Sequence, residues 1–108
     1  MGGTGLRVEW TKGAERNLDA IEQYIAQDNP AAAAKTVLKI VRRTFDQLSK
    51  QPSSGKPGRI NGTRELIFPE FPYIVIYSIQ QETIFILQVF HTAQDIQSFS
   101  KHSSESAD

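Results

Sequence analysis

The sequence predicts an α+β fold: a small antiparallel β-sheet with an N-terminal helical hairpin packed on one face, in the order β-α-α-β-β-β. Two amphipathic stretches joined by Asp28-Asn29-Pro30 predict the hairpin. Three strand-like runs in close succession after Gly62 predict the sheet. A length of 108 residues sets one domain. Residues 6–97 form the expected folded unit, 1–5 a flexible leader and 98–108 a disordered, serine-rich polar tail.

Leu6, Val8 and Trp10 alternate with Arg7 and Glu9, the period of a half-buried strand. This strand is expected to join the sheet at an edge. Thr11 suits the N-cap of a helix whose apolar residues Ala14, Leu18, Ile21 and Ile25 repeat at helical spacing. Asn29 is the natural N-cap of the second helix, and Pro30 at its first position loses no needed hydrogen bond. That helix is expected to reach about Lys50, with Ala34, Val37, Leu38, Val41, Phe45 and Leu48 on a packing arc and Lys35, Lys39, Arg42 and Arg43 on the opposite, basic face.

Two prolines and two glycines make residues 51–58 a loop. Strands follow over Thr63 to Phe68, Tyr73 to Ile79 and Thr83 to Phe90, the last two joined by the polar turn Gln80-Gln81-Glu82. The middle strand is apolar on both faces apart from its tyrosine hydroxyls and Ser78, so it belongs in the sheet interior. Phe45, Phe68, Phe71, Phe85 and Phe90 read as packing residues.

Composition excludes several classes. With no cysteine, disulfides and thiolate chemistry are ruled out, and His91 and His102 have no carboxylate at a spacing that completes a metal site. No metal or cofactor is expected. No apolar run approaches the roughly 18 to 20 residues that span a bilayer, and the N-terminus has no signal-peptide pattern, so a cytoplasmic protein without membrane contact is expected. The net charge of zero conceals segregation: residues 35–64 carry +7, residues 1–34 carry −2 and residues 65–108 carry −5. Such a basic middle can draw an acidic partner or a polyanion to one face, or act only as a solvated surface.

Gly58-Arg59, Gly62-Thr63-Arg64-Glu65-Leu66, Pro72-Tyr73-Ile74-Val75-Ile76-Tyr77 and Val89-Phe90-His91, in that order, resemble the RelE/ParE superfamily of bacterial toxins. Upstream, Tyr24-Ile25-Ala26, Asn29-Pro30 and Ala33 match the style of its helical hairpin. The resemblance implies the toxin of a type II toxin–antitoxin module, neutralised by a cognate antitoxin that wraps it with an otherwise disordered segment. RelE-like members cut messenger RNA in the ribosome, whereas ParE-like members poison DNA gyrase without known catalytic chemistry. Nucleolytic members carry an arginine directly after the aromatic that opens the central strand, and here that position is Ile74. The resemblance therefore points to the ParE-like branch, acting on gyrase by binding. The alternative is a RelE-like, metal-independent endoribonuclease with ribosome and mRNA as partners.

On that reading Lys56, Arg59, Arg64 and His91 are the target-binding candidates and Lys35, Lys39, Arg42 and Arg43 the antitoxin-binding ones. Under the nuclease alternative, Arg59, Arg64 and His91 would supply phosphate binding and acid/base chemistry. The same residues have plainer readings: Arg64 as an edge-strand cation paired with a carboxylate, Lys56 and Arg59 as a solvated loop, and His91 as a strand-end residue with a satisfied hydrogen bond.

Overall fold

The computed structural model describes residues 6–93. The leader expected at 1–5, the tail expected at 98–108 and the last four residues of the expected domain lie outside them. The elements are β1 (Arg7–Trp10), α1 (Lys12–Ala26), α2 (Pro30–Lys50), β2 (Lys56–Pro57), β3 (Arg64–Ile67), β4 (Tyr73–Gln80) and β5 (Thr83–His91). They build one five-stranded sheet in the order β1-β5-β4-β3-β2.

The caps fall where the side chains demand them. Thr11 Oγ1 accepts from Ala14 N at 3.2 Å and donates to the Ile86 carbonyl at 2.8 Å, so one hydroxyl both starts α1 and ties it to β5. Asn29 Oδ1 accepts from Ala32 N at 3.1 Å to start α2.

Two sheet details differ from expectation. β1 does take an edge, but it runs parallel to β5, with Val8 beside Ile84 and Trp10 beside Ile86, so the sheet is mixed and not wholly antiparallel. Alternating residues reveal a strand and its buried side but not its direction, and the long connection from β1 to β5, through both helices and three strands, leaves a parallel pairing open. The loop expected at 51–58 also contains the short strand β2, paired with Glu65 and Arg64. Pro57 is tolerated there because β2 is the outermost strand.

Register divides the sheet into two faces. Leu66, Val75 and Val89 lie side by side, as do Tyr77 and Ile86, and these join Ala14, Leu18, Ile40 and Leu48 of the helices in the main core. The other face carries Ile74 beside Phe90 and Ile76 beside Gln88, with an extra residue at the β-bulge between Ile76 and Tyr77 bringing Leu87 against the same cluster.

α2 faces the core through Ala33, Ile40, Thr44 and Leu48. The arc expected from sequence is therefore rotated: Ala34 is exposed, and Leu38 and Phe45 stand 49% and 57% exposed. Both arcs repeat at helical spacing, and side-chain size favoured the wrong one, because the small Ala33 and the hydroxyl-bearing Thr44 make weaker apolar signals than Leu38 and Phe45. Phe45 is thus not a packing residue.

Candidate functional site

The basic hairpin β2-β3 brings three of the four target-binding candidates together, since Lys56 pairs with Glu65 and Pro57 with Arg64 across it. Their environments differ. Arg64 Nη1 donates to the carbonyls of Gly55 at 2.7 Å and Ser53 at 3.2 Å, which binds the 51–58 segment to the sheet. The Arg59 amide donates to Glu65 Oε2 at 3.0 Å, and its Nε lies 3.6 Å from the same oxygen. Glu65 is buried, so a charge-assisted pair sets the course of the loop between β2 and β3. Its other oxygen, Oε1, is buried without a hydrogen-bond partner. Lys56 is exposed.

His91 stands elsewhere. It pairs with Tyr73 at the start of β4, whereas Arg64 pairs with Tyr77. Four residues along a strand separate the two positions by about 13 Å in the strand direction alone. His91 Nδ1 accepts from Ala93 N at 3.0 Å, and its ring meets Tyr73 edge-on at 5.3 Å.

His91 instead helps to line a cleft of about 450 Å³ between α1 and the β4-β5 end of the sheet, with Asn17, Ile21, Tyr24 and Tyr73 among the other lining residues. Asn17 Oδ1 accepts from Val89 N at 2.9 Å and holds α1 at that end. Burial pushes the Tyr73 hydroxyl pKa up from 10.0. Tyr24, exposed on the rim, was legible in the sequence only through the resemblance; its role as a cleft wall depends on how α1 crosses β5.

The basic face of α2 is not uniform. The Arg43 side chain donates to Glu70, lies 3.9 Å from Asp46 and stacks over the Phe68 ring with its guanidinium carbon 5.0 Å from the centroid. Hydrogen bonding to Glu70 raises the Arg43 pKa, and the same bond lowers that of Glu70. The Lys39 ammonium lies 5.8 Å over Phe71, which stacks on Phe68 at 4.7 Å. Lys35 and Arg42 are exposed. Arg42 and Phe45, with Val41, line a shallow groove on α2. The apolar half of this surface is hidden in the sequence, where helical periodicity places Leu38 and Phe45 on the packing arc.

Among the described residues, no three histidine or carboxylate side chains gather into a group able to hold a metal ion, and no helix is long and apolar enough to cross a membrane. The arrangement can present cations beside apolar side chains to a macromolecular partner. It does not bring an acid/base histidine to the arginine hairpin.

A two-helix hairpin on a five-stranded mixed sheet, with a basic β2-β3 hairpin, defines a RelE/ParE-type toxin. Residues 8–96 match the family model described as the ParE toxin of the type II toxin–antitoxin system parDE, and the chain belongs to that family. It is 46% identical over 88 residues to Y4kP of Sinorhizobium fredii, a candidate toxin, with 82% of this chain and 90% of that protein covered. Among solved structures it is similar to a chain of the chromosomal ParDE system from P. aeruginosa, with a TM-score of 0.71 and 26% identity over 82% of this chain and 98% of that one. A chain of the RelBE2 toxin–antitoxin complex from Mycobacterium tuberculosis gives a TM-score of 0.61 and 27% identity, covering 81% of this chain and 98% of that one.

Proposed function

We propose that this ParE-family toxin inhibits growth by binding and poisoning DNA gyrase in the cytoplasm, and that a cognate antitoxin holds it inactive. The observation that carries the reading is the central strand. β4 contains no charged side chain, and Ile74, at the position where the resembled nucleases place an arginine, is buried against Ile76 and Phe90. A ribonuclease without a metal needs cations around the crowded phosphorane-like transition state and a proton-transfer group close by. The separation of His91 from Arg64 along β4, and the use of Arg64 to hold backbone carbonyls, support binding over catalysis.

Lys56 and Arg59 are the cations available to the target on the β2-β3 hairpin. On α2, Lys35 and Arg42 beside Leu38 and Phe45 suit an amphipathic, acidic antitoxin segment, with Lys39 and Arg43 at the margin of that surface. The antitoxin partner is also supported by the toxin–antitoxin systems to which the P. aeruginosa and M. tuberculosis structures belong.

Induction in cells without antitoxin tests the reading. Gyrase poisoning predicts filamentation and a DNA-damage response while protein synthesis continues in the early phase. Immediate arrest of translation with cuts in ribosome-bound messages would assign the chain to the nuclease alternative.

A further inference from the structure

The two edges of the sheet are built differently. β2, outermost beside β3, is two residues long and contains Pro57, which has no N–H to offer a further strand. β1, at the other edge, reads Arg7-Val8-Glu9-Trp10, with no proline and no described strand beyond it. The Arg7 amide donates to the Glu82 carbonyl at 3.0 Å and the Thr11 amide to the Ile86 carbonyl at 3.1 Å, so the odd-numbered residues turn their backbone groups to β5. By the alternation of a strand, Val8 and Trp10 turn their N–H and C=O groups to the open edge.

The side chains of β1 divide in the same way. Leu6, Val8 and Trp10 are partly buried against the main core, whereas Arg7 and Glu9 alternate to the other face and are exposed. Arg7 and Glu9 lie 3.9 Å apart along the strand, with side chains 72% and 50% exposed. An exposed pair at that distance contributes little and leaves both charges available to a further partner.

An open edge with one cation and one anion two residues apart is complementary to itself. A two-fold axis at Val8 sets two copies of β1 antiparallel, with Val8 opposite Val8, Arg7 opposite Glu9 and Leu6 opposite Trp10. Val8 and the Leu6–Trp10 pairs then take the hydrogen-bonded positions, as the outward amides of Val8 and Trp10 require. The two Arg7–Glu9 pairs take the non-hydrogen-bonded positions, where Cα atoms stand only about 4.5 Å apart and side chains meet most closely. An axis at Arg7 or at Glu9 would instead set like charges opposite each other. We propose that β1 is a homodimer interface, pairing about Val8 with β1 of a second copy to join the two five-stranded sheets into one. Because β2 lies at the far edge, the hairpin with Lys56 and Arg59 stays open in both copies. The proposal holds whether the target is gyrase or the ribosome.

Sedimentation velocity of the purified full chain over a concentration series tests it, with amide hydrogen exchange as a second readout. Arg7→Glu alone and Glu9→Arg alone each set like charges opposite one another and should raise the dimer dissociation constant about tenfold or more. An equimolar mixture of the two variants restores both opposite-charge pairs and should dimerise as the native chain does. The Val8 and Trp10 amides should exchange slowly in the dimer, and fast on dilution or in either variant alone. A chain that stays monomeric at every concentration would overturn the proposal, as would a dimer indifferent to both reversals, which would place the contact on another face. Equal protection of the Val8 and Trp10 amides in the monomer would also overturn it, because the edge would then be filled from within one molecule.

Discussion

Tyr77 and Gly55 are joined by a buried hydrogen bond that fixes the loop before β2: the Gly55 amide donates to Tyr77 Oη at 2.9 Å, and the hydroxyl donates to the Pro52 carbonyl at 2.7 Å. A Cβ at position 55 would stand 2.7 Å from that hydroxyl, so glycine is needed for close approach. Tyr77→Phe orphans a buried amide and a carbonyl and should cost about 1–3 kcal/mol, measured by denaturant unfolding. Gly55→Ala should destabilise as well, because the clash falls on a ring held in the core.

The same hydroxyl gives an alkaline signature. Burial raises the Tyr77 pKa from 10.0, opposed by the Gly55 amide and the charge of Arg64. A group raised in the folded state contributes stability that is fully present below its unfolded value and is lost as pH rises through the folded one. Stability of the native chain should therefore fall above about pH 10, and Tyr77→Phe should reduce that loss.

The Arg43–Glu70 pair titrates at the other end of the scale. Its hydrogen bond depresses Glu70 below the ordinary 4.5, so its contribution is present above that value and is lost as pH falls through the depressed one. Carboxyl NMR should show the low Glu70 pKa, and Arg43→Ala should return it toward 4.5. An unchanged titration in that variant would contradict the pairing.

The rotation of α2 makes a sharp contrast between two apolar residues. Ile40→Ala removes a fully buried side chain and should cost about 2–5 kcal/mol. Phe45→Ala removes an exposed ring and should cost about 1 kcal/mol or less. On the proposed function, Phe45→Ala should nevertheless weaken antitoxin binding, as read by calorimetry. Full-strength binding by both Phe45→Ala and Leu38→Ala would remove this surface from the antitoxin contact.

The hairpin cations divide in the same way. Arg64→Ala releases the Gly55 and Ser53 carbonyls and Arg59→Ala leaves Glu65 without its ion pair, so both should lower stability as well as target binding. Lys56→Ala should leave stability within about 0.5 kcal/mol. It is therefore the cleaner probe of target contact, scored by growth inhibition.

The order of the helices and main strands, and most boundaries, are legible because Thr11, Asn29-Pro30 and the continuous apolar run through Tyr73–Ile79 are local signals. What escaped depends on three-dimensional choice. The direction of β1 follows from its pairing with β5, and the inward face of α2 from which of two overlapping apolar arcs meets the sheet. For the site, the sequence grouped Lys56, Arg59 and Arg64, which β2 and β3 do bring together. It had no signal that His91 lies at the other end of β4, or that Tyr24 and Tyr73 wall a cleft with it.

The most direct test of the central claim is a supercoiling and cleavage assay with the purified chain, purified gyrase and plasmid DNA, run beside translating ribosomes on a defined message. The binding account predicts gyrase-dependent cleavage complexes or loss of supercoiling, suppressed by the antitoxin, with the message left intact. Codon-positioned cuts in the ribosome-bound message, with gyrase unaffected, would contradict it.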